Sequence, residues 1–221
     1  MPRPRVDAVL FDLDGVLVDT EPWWDEVRRA FAAAHGRRWG PDDQAAVMGA
    51  NSRGWARIMR ERLELGSMTE DAILDAVVDG VLACYRDREP PRVPGAAEAL
   101  RRTAADRPVA IASSSHPAIL AAAVDALALR DVLGAVVSSD EVAHGKPAPD
   151  VYLRAAGLLA VAPAHCLVVE DSVNGVRAGR AAGMTVVLVP SHSVPPSPEA
   201  LALAHIVLDR LADLDPDGLS A

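Results

Sequence analysis

The sequence predicts an α/β fold, in which a mostly parallel sheet carries helices on both faces and a second, all-helical region is inserted. Short apolar runs bounded by turn residues are typical of buried parallel strands. Helical patterns separate these runs, and such alternation favours right-handed crossovers in one sheet. The predicted strands are 6–11, 108–112, 135–138, 166–169 and 185–189, with 206–208 as a sixth candidate. The helical patterns between them are 96–105, 117–126, 149–159, 175–182 and 198–204.

The stretch from 20 to 92 breaks this alternation, because it shows helical periodicity and almost no apolar strand run. We therefore predict a core formed by 1–19 and 93–221 and a helical cap formed by 20–92. All four tryptophans of the chain fall in the cap. Tryptophans in a helical bundle are usually buried, although Trp23 or Trp24 could instead line the mouth of a site.

Composition narrows the class of protein. The 221 residues carry a formal net charge of −9, which argues against nucleic acid or an anionic membrane as partner. No apolar stretch reaches transmembrane length, and the N-terminus leads into a strand and does not resemble a signal peptide. Cys84 and Cys166 lie far apart and lack metal-binding spacing, as in reduced thiols of a cytoplasmic protein. We take a monomer as the default state.

Two acids follow the first predicted strand. Asp12 and Asp14 are two positions apart, so they project to the same side if the extended backbone continues. Ligand sites in open parallel sheets lie at the carboxyl ends of the strands. Like charges held so close need a cation or a shared proton. Taken alone, this pair of acids could instead be an acidic turn that has no function.

Polar residues also follow the second predicted strand. Ser113, Ser114 and Ser115 precede a predicted helix, where hydroxyls and free backbone N–H groups can form an anion cradle. A serine-rich turn that merely caps the helix is the alternative, and His116 fits such a capping role better than contact with substrate.

Lys146 is the only lysine beside 21 arginines, and it lies in Gly-Lys-Pro-Ala-Pro-Asp. A site that needs a compact ammonium group explains this exception better than chance. The fourth predicted strand ends in Glu170 and Asp171. These acids could cap the next helix. If they converge with the acids of the first strand, they form a hard oxygen site suited to Mg²⁺.

Such a group of residues is typical of a phosphoryl-transfer site. A carboxylate can attack phosphorus and form an aspartyl-phosphate if cations neutralise the phosphate. A second acid can protonate the departing alcohol and later accept a proton from water.

The chain resembles the haloacid-dehalogenase superfamily, in the phosphatase and β-phosphoglucomutase-like branch with a helical cap. The matching motifs are Asp12-Leu13-Asp14-Gly15-Val16-Leu17-Val18-Asp19, Ser113, Gly145-Lys146-Pro147 and Glu170-Asp171-Ser172-Val173-Asn174-Gly175. The resemblance implies a Rossmann-like core whose cap closes over the substrate.

The resemblance also implies roles. Asp12 would be the nucleophile and Asp14 the general acid and base. Mg²⁺ would be held by Asp12, the backbone carbonyl of Asp14 and Asp171, with Glu170 close by or coordinating through water. Phosphate and substrate contacts are assigned to Ser113, Ser114, Lys146, Gly15 and, after the predicted cap turn 48–52, Arg53.

The leading hypothesis is a Mg²⁺-dependent phosphatase for a small phosphorylated metabolite, a sugar or polyol monophosphate. Dehalogenases of the superfamily lack the second aspartate, so Asp14 favours phosphate esters. A phosphomutase is the alternative enzyme, although the cap lacks the histidine after the first motif and the lysine that β-phosphoglucomutases carry. A non-catalytic binding protein on the same scaffold is the third hypothesis.

Overall fold

The computed structural model describes residues 5–191 and 194–218. Its centre is a six-stranded sheet in which every pair of neighbouring strands is parallel. The strands are β1 (Ala8–Phe11), β2 (Val109–Ser113), β3 (Ala135–Ser138), β4 (Cys166–Glu170), β5 (Thr185–Leu188) and β6 (Ile206–Val207). Their order across the sheet is β3-β2-β1-β4-β5-β6. The predicted fold class is confirmed; positions 1–4, 192–193 and 219–221 of the predicted core lie outside the described residues.

Helices connect and cover the strands. Between β1 and β2 lie α1 (Glu21–Ala34), α2 (Pro41–Val47), α3 (Ser52–Arg62), α4 (Glu70–Asp87) and α5 (Ala96–Ala104). After β2 follow α6 (Pro117–Ala126), α7 (Asp150–Leu158), α8 (Val173–Ala181) and α9 (Pro198–Leu203). The predicted helices agree with these within two residues, because proline, serine, threonine and asparagine mark most helix starts.

Both faces of the sheet are buried. Along β1, Val9 and Phe11 belong to one hydrophobic cluster, whereas Ala8 and Leu10 belong to a second. This division follows from the alternation of side chains along a strand. The first cluster includes residues of α5 and α6, and the second includes residues of α7, α8 and α9. Because helices cover both faces of the sheet, every residue of β1 is buried, which explains its continuous apolar sequence.

Helices α1–α4, which we call the helical insert, share a third hydrophobic cluster that also includes Ile119 of α6. Trp24, Trp39 and Trp55 belong to this cluster, which agrees with the expected burial of tryptophans. Trp23 is also buried and packs edge-on against Tyr85, with 5.2 Å between the ring centroids.

Within the part of the chain that the structure describes, we find no helix with both the length and the apolar character needed to cross a membrane. The cytoplasmic location, the monomeric state and the exclusion of nucleic acid stay predictions.

The order of strands places the site. The chain runs from β1 outward to β2 and β3, then returns to β4 on the other side of β1. Ligands of open α/β sheets bind at such a reversal, beyond the carboxyl ends of the strands. Phe11 pairs with Val169, so the residues that follow them, Asp12 and Glu170, lie side by side.

Candidate active site

Asp12 and Asp14 follow β1 at the centre of this edge. Asp12 is buried, and its backbone N–H donates to the carbonyl of Val169 at 2.9 Å. Asp14 accepts hydrogen bonds at both carboxylate oxygens. Thr20 Oγ1 donates to Oδ1 at 2.5 Å, and Ser115 Oγ donates to Oδ2 at 2.6 Å. These two donors fix the orientation of the Asp14 carboxyl. The sequence placed Ser115 in the anion cradle and did not predict that either hydroxyl contacts Asp14.

Lys146 joins three strand ends. Its Nζ donates to Asp12 Oδ1 at 2.6 Å, to Glu170 Oε1 at 2.6 Å and to the Ala112 carbonyl at 3.0 Å. The ammonium also lies 4.8 Å from the ring centroid of Tyr152. All three N–H groups of the ammonium are therefore occupied. The lysine singled out by composition is buried next to the first acid of the first motif.

Glu170 is fully buried and accepts hydrogen bonds at both oxygens. Oε1 accepts from Lys146 and, at 2.7 Å, from the hydroxyl of Tyr152. Oε2 accepts from the backbone N–H groups of Asp171 and Ser172 and from Ser172 Oγ, at 2.9 to 3.1 Å. Burial opposes its ionisation, but Lys146 and these hydrogen bonds lower the pKa of Glu170. Glu170 thus anchors Lys146.

Gly15 allows Asp171 to approach the first motif. Its φ is +84°, a left-handed conformation that glycine adopts without cost. A Cβ atom at this position would lie 2.0 Å from Asp171 Oδ2. Among the described residues, no donor forms a hydrogen bond to the Asp171 carboxylate. The acid therefore faces the site without a compensating partner.

The electrostatics of these acids fit a divalent cation. Burial is the main cause that raises the pKa of Asp12 to about 7, against the pull of Lys146. Burial and the charges of Glu170 and Asp12 raise the pKa of Asp171 well above its usual value. Burial also raises the pKa of Asp14, against its two hydroxyl donors. A bound cation removes this repulsion and favours the ionised carboxylates.

Ligand geometry also fits a cation. Carboxylate oxygens of Asp12, Glu170 and Asp171 lie within 4.8 Å of one another. Because both oxygens of Glu170 already accept hydrogen bonds, Asp12 and Asp171 offer the better ligands. Carboxylate oxygens are the ligands that Mg²⁺ prefers.

The serines after β2 lie on the same side of the site. Ser113 and Ser114 line the cavity described below, and Ser113 Oγ accepts from the backbone N–H of Ser115 at 3.1 Å. His116 caps α6, because its Nδ1 accepts from the backbone N–H of Ala118 at 3.3 Å. The expectation of a capping histidine is confirmed.

One cavity lies between the sheet edge and the helical insert. We call its sheet side the core wall, formed by Asp12, Asp14, Gly15, Ser113, Ser114, Lys146 and Asp171. We call its insert side the cap wall, formed by Glu21, Trp24, Arg28, Trp55 and the turn Met48-Gly49-Ala50. The predicted cap turn therefore does face the core.

The residues of the cap wall differ from the sequence prediction at Arg53, which we expected to contact substrate. Arg53 is exposed at the start of α3 and is not among the residues that line the cavity. The arginine of the cap wall is Arg28, on α1. Glu21 and Arg28 were not selected from the sequence. The available signal was their seven-residue spacing, which places both on one face of α1.

Comparison with known proteins identifies the family of this chain. A family model for haloacid dehalogenase-like hydrolases matches residues 6–183. The chain is 32% identical over 215 residues to the bifunctional riboflavin kinase/FMN phosphatase of Arabidopsis thaliana, covering 94% of this chain and 54% of that protein. It is 34% identical over 185 residues to the fructose-1-phosphate phosphatase YqaB of Escherichia coli (strain K12), covering 83% and 96%.

Among solved structures, CbbY from Rhodobacter sphaeroides in complex with phosphate has a TM-score of 0.81 and 25% identity, covering 94% of this chain and 96% of that chain. The present chain spans about half the length of the Arabidopsis protein. It belongs to the haloacid dehalogenase-like hydrolases. The family predicted from the motifs, its phosphatase and β-phosphoglucomutase-like branch, and the enzyme class are confirmed.

Proposed function

We propose that the protein is a Mg²⁺-dependent phosphatase that hydrolyses a small phosphorylated metabolite, a sugar or polyol monophosphate. The observation that carries the proposal is the buried contact between Asp12 and Lys146 at 2.6 Å, at the edge where Asp14 and Asp171 also lie. A carboxylate held against an ammonium group can approach a phosphate dianion because the positive charge offsets the repulsion. The name of the Escherichia coli relative, which states a sugar-phosphate substrate, supports the substrate class.

Asp12 and Asp171, with the backbone carbonyl of Asp14, would hold the cation. When bound, it neutralises charge on the phosphoryl oxygens of the substrate. Ser113 and Ser114 would bind and orient the same phosphoryl group, and the positive charge of Lys146, held next to Asp12, would attract it. We also propose that residues 20–92 act as a cap over the core formed by 1–19 and 93–221, and that this cap excludes water from the first step.

The reaction has two steps. In the first, a carboxylate oxygen of Asp12 forms a bond to phosphorus while the bond from phosphorus to the ester oxygen breaks. Asp14 gives its proton to that oxygen, so the alcohol leaves uncharged. The raised pKa of Asp14 suits it to carry this proton.

In the second step, water attacks the phosphorus of the aspartyl-phosphate, and Asp14 takes a proton from the water. The bond between Asp12 and phosphorus breaks, which releases inorganic phosphate and restores the Asp12 carboxylate. Thr20 and Ser115 keep the Asp14 carboxyl oriented through both steps.

The decisive test is Asp12→Asn. This variant keeps the shape of the side chain but removes the nucleophilic charge, so phosphate release from sugar and polyol monophosphates should fall at least ~10³-fold. Asp7→Asn is the matched control, because Asp7 is also close to β1 but forms surface ion pairs with Arg5 and His165. The control should keep the parent rate. Release by Asp12→Asn near the parent rate would overturn the nucleophile assignment.

Metal dependence is tested in the same assay. Chelation with EDTA should abolish phosphate release, and added Mg²⁺ should restore it. Conversion of a sugar phosphate to its isomer with little free phosphate would favour the phosphomutase alternative. No turnover of any phosphorylated metabolite, with or without Mg²⁺, would favour the binding-protein alternative.

A further inference from the structure

The cap wall carries an ion pair that the proposed chemistry does not use. Glu21 is the first residue of α1, and Arg28 lies about two turns later on the same face. Arg28 Nη1 lies 3.6 Å from Glu21 Oε1, and both side chains line the cavity. In the proposed function the phosphoryl group lies at the core wall of this cavity, so the leaving group of a substrate would extend toward the pair.

Arg28 is built into the wall rather than attached to the surface. It is only 5% exposed, and its guanidinium lies 5.0 Å from the ring centroid of Trp24 and 5.6 Å from that of Trp55. Its buried Nε has no hydrogen-bond partner among the described residues. Buried donors are normally satisfied, so this side chain retains hydrogen-bonding capacity for a ligand.

A side chain of helix α2 holds the Glu21 carboxylate in place. Gln44 Nε2 donates a hydrogen bond to Glu21 Oε1, and Trp39 Nε1 donates to Gln44 Oε1 at 2.8 Å. This relay fixes the Glu21 carboxylate beside Arg28. Glu21 is thus positioned to accept hydrogen bonds, and Arg28 is positioned to donate them.

The charges along the cavity limit what a leaving group can carry. Among the described residues that line it, the basic side chains are Lys146 and Arg28. Lys146 is engaged by Asp12 and Glu170. Arg28 is offset by Glu21, so a second negative group on the substrate would find no uncompensated positive charge.

We propose that Glu21 and Arg28 form a specificity-determining pair that selects an uncharged, hydroxyl-bearing leaving group and rejects one bearing a carboxylate or a second phosphate. The inference rests on the proposed phosphatase function. Hydroxyl groups of a polyol can donate to Glu21 and accept from Arg28 at the same time. The rings of Trp24 and Trp55 cover the apolar carbon faces that such a chain also presents.

The test compares kcat/KM for sorbitol 6-phosphate with kcat/KM for 2-phosphoglycolate. It is run at about pH 8, where Glu21 and the carboxyl group of 2-phosphoglycolate are both ionised. The parent should prefer sorbitol 6-phosphate. In Glu21→Gln the charge of Arg28 is no longer offset, so the ratio should shift toward 2-phosphoglycolate by about tenfold. In Arg28→Gln the remaining negative charge should shift the ratio in the opposite direction.

Glu26→Gln is the matched control, because Glu26 also lies on α1 but pairs with Arg88 on the exposed surface. Its ratio should equal that of the parent. A parent that prefers 2-phosphoglycolate, or variants of both pair residues whose ratio stays within about twofold of the parent, would overturn the inference while leaving the phosphatase function intact. Absence of phosphate release by the parent would instead overturn the proposed function and this inference with it.

Discussion

The two walls of the cavity are built in different ways. On the core wall, Lys146 contacts Asp12 and also the buried Glu170 behind the wall, each at 2.6 Å. On the cap wall, Arg28 and Glu21 are 3.6 Å apart and rest on aromatic rings. The core wall is fixed by the register of adjacent strands, whereas the cap wall depends on how helices pack. We therefore expect the core wall to set the reaction and the cap wall to set the substrate.

Apart from loss of the proposed nucleophile Asp12, the largest expected effect comes from Lys146. In Lys146→Met the ammonium is lost, so kcat should fall by about 10²- to 10³-fold. The buried Glu170 also loses its counter-charge, and the free energy of unfolding should drop by about 3–5 kcal/mol. Urea unfolding and kcat with sorbitol 6-phosphate and 2-phosphoglycolate measure both quantities.

Two comparisons make this prediction sharper. The fall in kcat should be the same for both substrates, because the phosphoryl group is common to them. Lys146→Arg keeps the charge but replaces a compact ammonium by a planar fork, so it should also lose most of the activity. Unequal losses for the two substrates would contradict the division between the walls, and full activity of Lys146→Arg would contradict the need for a compact cation.

The core wall could be predicted from the sequence because strand ends are fixed by few variables. Once β1 and β4 are recognised and paired in parallel, Asp12 and Glu170 must lie side by side. The isolated lysine among arginines then completes the site. What the sequence did not reveal is that Tyr152 and Ser172 occupy the oxygens of Glu170. Those contacts depend on how α7 and the turn after β4 pack, which no spacing encodes.

The cap wall could not be predicted in the same way. Helices of the insert pack through side chains, and small rotations decide which residue faces the cavity. Arg53 follows the predicted cap turn in sequence, yet it points to solvent from the first turn of α3. Arg28 lies farther from that turn in sequence, on the earlier helix α1, yet it lines the cavity. Sequence proximity to a motif is therefore a weak guide in this region.

A prediction of intermediate size tests whether Asp171 of the core wall binds the cation. Gly15→Ala would place a methyl group 2.0 Å from Asp171 Oδ2 and would strain a φ of +84°. Displacement of Asp171 should weaken the apparent affinity for Mg²⁺ by about 10- to 100-fold. The measurement is phosphate release as a function of Mg²⁺ concentration.

Gly183→Ala is the control for backbone strain. Gly183 also has a positive φ, +73°, but a Cβ there meets no atom within 4 Å. Both variants should lose about 1–2 kcal/mol of stability from the left-handed conformation, and only Gly15→Ala should lose Mg²⁺ affinity. Equal Mg²⁺ curves for the two variants would mean that Asp171 does not bind the cation.

The smallest expected effect is a pH dependence confined to the cap wall. Burial, partly offset by Arg28, raises the pKa of Glu21 to about 7, and the charges of Asp14 and Asp25 act in the same direction as burial. Below this pKa Glu21 is neutral, so the charge of Arg28 is no longer offset. Lowering the pH should therefore act like Glu21→Gln and favour a substrate with a second negative charge.

The measurement is the ratio of kcat/KM for 2-phosphoglycolate to that for sorbitol 6-phosphate, between about pH 8 and about pH 6. Ionisation of the phosphoryl group and of the core wall affects both substrates and largely cancels in the ratio. The ratio should rise by about five- to tenfold as the pH falls in the parent. It should stay nearly flat in Glu21→Gln, which has no proton to gain. An equal rise of the ratio in the parent and in Glu21→Gln would show that a group of the core wall titrates. It would contradict the expectation that the core wall sets the reaction and the cap wall sets the substrate.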